Sequence, residues 1–228
     1  PARPQEKDSR QFRHLATLQF GVNNVKEENL HAKVSRGTIT ELTYGFENRT
    51  EAWQVFHFTL GYSRLKTEIE DVSKSVNLKL RADYSFNFNV FSKGNFTYYL
   101  GPEATLAYSG SFFPNWDDSH LYWADYWAVG ARNIFVLQTK KKNEWVTTVS
   151  LPVVSVFSRP DQFRLYKIDD TDFNGIVHNL HSNPVYAFPD RVFFLRAGTE
   201  FRFPIFDNKR QAFSYSVEYI QVKQEEGN

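Results

Sequence analysis

The sequence predicts an all-β fold: an up-and-down antiparallel β-barrel of about ten strands, nine of them readable. Three observations predict it. The first is alternation. In VNLKLRADYSFNFNV the even positions are Val76, Leu78, Leu80, Ala82, Tyr84, Phe86, Phe88 and Val90, and every odd position is polar. Side chains on a strand alternate between faces, so this is one strand with an apolar face and a polar face. The second is length. At ~3.3 Å per residue that stretch rises on the order of 50 Å, longer than a small soluble core requires. The third is the strict alternation of short and long links, which in an up-and-down barrel gathers all short links at one end.

The strands follow in order. The first runs from Phe12 to Asn23, after a charged N-terminal extension over residues 1–11. The second covers Val34 to Asn48, with Leu42, Tyr44 and Phe46 on one face and Glu41, Thr43, Gly45 and Glu47 on the other. The third, Trp53 to Leu65, keeps Gln54, Phe56, Phe58, Leu60 and Tyr62 in register. The fourth is Val76 to Val90. The fifth sets Phe96, Tyr98, Leu100, Ala104, Leu106 and Tyr108 against Thr97, Gly101, Glu103, Thr105 and Ser109. The sixth (Tyr122 to Gln138) and seventh (Trp145 to Phe157) are patterned less cleanly. The eighth, Val192 to Phe206, has Arg196, Gly198, Glu200 and Arg202 on its polar face, and the ninth runs from Ala212 to Val222. A tenth is either absent or hidden in 162–191. Residues 12–228 thus read as one barrel domain, with its longest external loop at about 158–191.

On these features the chain resembles bacterial outer-membrane β-barrels as a class. The resemblance covers nearly the whole chain and is one of pattern, carried by no family motif. It implies a transmembrane barrel in a Gram-negative outer membrane, with lipid around the wall and function in the external loops. Trp53, Trp145, Phe91, Phe206, Tyr122 and Trp123, near strand ends, would form the interfacial aromatic girdles. Two features depart from the class. The chain ends in VKQEEGN rather than in an aromatic residue, and nine strands is an odd number. The competing expectation is a soluble, lipocalin-like barrel, which turns the same apolar face inward.

Composition narrows the function. The chain has 228 residues and no cysteine, which excludes disulfides, thiol catalysis and thiolate metal sites. A net charge of +1 offers no field for nucleic acid. Aromatics reach 17% while mean hydropathy is −0.51, the average that alternating strands and hydrophilic links produce. No apolar run approaches the ~20 residues of a membrane helix. A start without Met or a signal segment fits a processed, exported chain.

With the apolar face on lipid, the polar face lines the interior. Glu41, His57, Lys79, Arg81, Asp83, Glu103, Arg196, Glu200, Arg202 and Glu218 would stand there. A barrel of eight to ten strands is just wide enough for side chains to fill. Unpaired buried charge is costly, so these residues would form an ion-pair network that holds the barrel shut rather than a wide pore.

Two local motifs suggest chemistry. In DDTDFNG, Asp170, Asp172, Asn174 and Gly175 fit the first half of a calcium loop, with the Ile176 carbonyl as a further ligand. The twelfth position is His181 rather than Glu, so an EF-hand is not expected, and solvated acidic turns share this composition. Ca²⁺ is the one cofactor the spacing suggests. In HNLHSN, His178, His181 and Ser182 offer a base and a nucleophile. The motif resembles the H-x-S-N of outer-membrane lipid hydrolases, but Leu180 stands where the family's His would be. Lys140–Lys142 form a basic turn suited to lipid headgroups. No catalytic set is favoured. The expectation is a non-enzymatic scaffold whose loops bind a ligand, or an envelope protein within a larger complex. A lipid hydrolase, calcium dependent or not, and a narrow channel are the alternatives.

Overall fold

The computed structural model describes residues 11–26, 33–68, 74–114, 120–139, 143–158, 174, 175, 178, 181, 184–206 and 209–222. Ten strands form one curled antiparallel sheet, a half-barrel: β1 (Gln11–Val25), β2 (Ser35–Arg49), β3 (Ala52–Lys66), β4 (Lys74–Lys93), β5 (Phe96–Phe113), β6 (His120–Gln138), β7 (Glu144–Ser158), β8 (Val185–Ala187), β9 (Val192–Phe206) and β10 (Lys209–Val222). Neighbours in sequence are neighbours in space, except that β7 carries both β8 and β9 on one edge. β9 pairs with Glu144–Ser150 and β8 with Ser155–Phe157. The tenth strand is therefore a three-residue piece inside the longest link, not a full wall strand.

The period-2 pattern explains which face goes where. On β4, Leu78, Leu80, Tyr84 and Phe88 are exposed, while Asp83, Ser85 and Asn87 between them are buried. The same split holds on β3, where Phe58, Leu60 and Tyr62 are exposed and Thr59 and Ser63 are buried. The concave face is thus polar and packed, and the convex face is apolar and open. Exposure on the convex face reaches 76% at Phe20. Its aromatics cluster toward the short-link end. Phe46 stacks between Phe12 and Phe56 (centroids 5.7 and 5.3 Å), Tyr98 stacks on Phe135 (5.0 Å), and Trp145 meets Phe201 (4.9 Å).

Besides a register shift beside the β9–β10 turn, between Lys209 and Arg210, two irregularities disturb the alternation. Val90 is a bulge in the β4–β5 ladder, so Phe91 rather than Val90 faces the same way as its partner Tyr98. A second register shift lies where Val129 pairs with Val154 and Gly130 with Pro152. This shift accounts for the poor pattern of β7. Trp53 and Trp123 are not girdle residues. Trp53 is 1% exposed and points into the concave face, and Trp123 is also buried.

At the short-link end the concave face holds a small apolar core of Trp53, Val55, Tyr99, Ile134, Val136 and Val146. Tight turns sit there: Gly94, between β4 and β5, takes φ 59°, a left-handed conformation that costs glycine little. The curl brings strands close at inward glycines. A Cβ on Gly101 would collide with the β4 backbone at Phe86 and Asn87, and one on Gly130 with β7 at Leu151 and Pro152.

The sheet has two edges, β1 and β10. Among the described residues no backbone ladder joins them. Gln19 Nε2 donates across the gap to Ser214 Oγ at 3.2 Å. The Gly101→Val change should lower stability by about 2 kcal/mol or more through overpacking against β4. Denaturant unfolding in detergent would detect it, and an unchanged midpoint would mean the strands do not approach there.

Candidate functional site

The concave face carries a connected set of charges. On β4, period 2 turns Lys79, Arg81 and Asp83 inward together. Lys79 Nζ lies 2.5 Å from Glu218 Oε1 on β10 and 3.6 Å from Glu41 Oε1 on β2. Arg81 reaches the other Glu218 oxygen and places Nε 2.9 Å from Asp83 Oδ2. Arg196 on β9 bridges Asp83 (2.8 Å) and Glu103 (2.5 Å), and Arg132 on β6 donates to Glu103 at 3.1 Å. Thr105 donates to the remaining Asp83 oxygen at 2.9 Å. His57 stands opposite Asp83 on β3.

A second cluster lies nearer the short-link end. Arg202 grips Glu47 with two parallel bonds of 2.8 and 2.7 Å and also meets Glu200 at 2.7 Å. Arg49 and Arg210 flank Glu144 at 3.4 and 2.9 Å. Arg49 also lies over the rings of Trp53 (4.7 Å) and Tyr99 (5.3 Å). Such stacking lets guanidinium charge sit against the apolar core beneath.

Of the ten ionisable residues read from the sequence as interior, nine are ion-paired in these two clusters and His57 stands beside the first. The sequence reading missed Glu47, Arg49, Arg132, Glu144 and Arg210. Glu47 had a signal, since it shares parity with Glu41. Arg132 had a weaker one, because β6 lacks clean alternation.

A third group lies on the convex side of β5 and β6, at the long-link end. Asp125 pairs with the outward Tyr108, yet it is only 2% exposed. His181, from the long link, covers it. Its Nε2 lies 3.8 Å from Asp125 Oδ2 and 3.1 Å from the Tyr108 hydroxyl. The imidazole packs edge-on to Trp127 and Tyr108, with centroids 5.9 and 5.8 Å away. Ser158 donates a hydrogen bond to Asp125. His178 is exposed, and its carbonyl accepts the His181 N–H at 3.2 Å. Ser182, Asp170, Asp172, Ile176 and Lys140–Lys142 lie outside the described residues, and Asn174 is exposed. No group of three or more metal-ligating side chains occurs among the described residues.

No family model, curated protein or solved structure matches the chain in the comparisons made with it.

Removing one partner of a buried ion pair leaves a charge stranded, at a cost of about 3–5 kcal/mol. Arg196→Met takes one cation from both Asp83 and Glu103, which keep Arg81 and Arg132, and should destabilise the fold by about 3 kcal/mol. Lys33→Ala removes an exposed pair with Glu68 (3.1 Å) and should change stability by less than about 1 kcal/mol. Chemical unfolding of both variants checks the contrast. Equal effects would show that the network carries no more weight than a surface pair.

Proposed function

We propose that the curled sheet is the wall of a transmembrane β-barrel in a bacterial outer membrane. The chain acts there as a non-enzymatic scaffold. Its longer links, Lys26–Val34, Phe113–Tyr122 and Ser158–Arg191, engage a ligand or an envelope protein within a larger complex. Loops on a rigid wall are where binding residues concentrate.

One observation carries the reading: the polar and apolar faces are inverted relative to a soluble barrel. Asp83, Glu103 and Arg202 are buried, while Leu78, Phe20 and Phe213 are exposed. Water disfavours that convex face and a hydrocarbon layer favours it. Among the described residues no helix is long and apolar enough to cross a membrane, which bears on helical spans and not on strands. The paired interior and the apolar core at its short-link end favour a scaffold over a wide pore.

Open edges are untenable in lipid, so β1 and β10 pair in the membrane. The Gln19–Ser214 contact supplies the register. Eight antiparallel pairings in succession leave β10 parallel to β1, so Leu18 then lies beside Phe213, and Phe20 beside Tyr215, on the lipid side.

A second reading, lipid hydrolysis, draws on the His181–Asp125 contact on the convex face. A carboxylate beside an imidazole is the pairing that orients a general base.

The purified chain should float with phosphatidylcholine vesicles, require detergent in solution and produce no step-like conductance in planar bilayers. A chain that is monomeric and soluble without detergent contradicts the reading, and step-like conductance would favour a channel. The native chain has no cysteine, so a Gln19→Cys, Ser214→Cys pair provides a clean test of closure. A short bis-maleimide should join the two in the membrane, and failure to join them would place the edges apart. His181→Ala tests the second reading. Loss of a lipid-hydrolysing activity in that variant would replace the scaffold reading with the second one.

A further inference from the structure

The convex face carries a row of like charges where a sheet ordinarily avoids them. Arg36 on β2 is directly opposite Lys66 on β3, and Lys66 is directly opposite Lys74 on β4. All three are exposed and share the outward parity of Leu42, Leu60 and Leu80. Like charges facing each other across a ladder destabilise it. Among the described residues none makes a hydrogen bond or ion pair with the side chain of any of the three. Glu68, the acidic residue nearest in sequence to Lys66 in the structure, is paired with Lys33. Arg64, two residues before Lys66, points the same way and is bonded to the Tyr62 hydroxyl at 2.5 Å.

Immediately toward the middle of the same strands the surface becomes apolar. Tyr62 is opposite Leu78, and Leu60 lies between Leu42 and Leu80. Phe20 and Val22 of β1 extend this surface sideways, and all seven side chains are exposed. Cations thus rim an apolar wall on three adjoining strands at the long-link end. At that end the outward positions Phe112 of β5, Trp123 and Asp125 of β6, and Val156 and Ser158 of β7 carry no cation.

We propose that Arg36, Lys66 and Lys74 form a binding site for the phosphate-bearing headgroup of an anionic bilayer lipid, whose acyl chains lie along Tyr62, Leu78, Leu60 and Leu80. The bound phosphate relieves the repulsion within the row, and the apolar surface beneath accepts the chains. Guanidinium and ammonium groups are the usual donors to phosphate oxygens. This inference rests on the membrane reading above, because the site needs its apolar half in lipid.

The test uses the full chain in detergent, exposed to equal amounts of phosphatidylglycerol and phosphatidylcholine, with retained lipid read by native mass spectrometry. Three clustered cations should favour the anionic lipid by about tenfold or more. In the Arg36→Gln, Lys66→Gln, Lys74→Gln variant the preference should fall to near parity. Lys93→Gln, at the opposite end of β4, should preserve it. Both variants should still float with phosphatidylcholine vesicles. Flotation of the native chain without lipid preference overturns the site and leaves the membrane reading standing. Preference that persists in the triple variant also overturns it. A native chain that does not float overturns both.

Discussion

The structure depends on the pairing of charge across its concave face. Arg196 ties β9 to β4 and β5, Arg202 ties β9 to β2, and Glu218 ties β10 to β4. These bonds span strands that share no backbone ladder. A ladder fixes each strand against its neighbour and leaves the curvature of the sheet free. Bonds across the concavity fix the curvature itself. The desolvation cost of such charges is large, so the arrangement holds only because nearly every charge meets an opposite one.

That constraint explains the remaining features. A concave face filled with paired charges cannot also hold the apolar residues that alternation supplies in equal number, so those residues occupy the convex face. Inward glycines such as Gly101 and Gly130 let the strands approach where side chains would collide. The small core around Trp53 and Tyr99 accepts the planar faces of Arg49 and Arg202, joining the charged layer to an apolar one.

Much of the fold was legible in the sequence because period 2 is a local property. Eight of the long strands could be located from alternation or turn residues within a few positions of their ends, and the ninth began three residues early, at Lys209. The exceptions have physical causes. β8 is too short to alternate. Val90 and the Val129/Gly130 region are bulged, and a bulge shifts parity by one. Trp53 near a strand end looked interfacial, but parity placed it inward. The identity of ion partners was not legible, since Arg196 and Asp83 are 113 residues apart and meet only through the curl. Asp125 was hidden for the opposite reason: its parity is outward, and only the long link makes it buried.

The central claim is the direction in which the two faces point, and β4 tests it most directly. Single cysteines at Leu78, Tyr84 and Phe88, and at Asn77, Ser85 and Asn87, would each carry a fluorophore in vesicles containing a lipid-bound quencher. The account predicts strong quenching at the first three positions and little at the other three. The reverse pattern, or equal labelling of the first three by a water-soluble reagent in the absence of detergent, would contradict it.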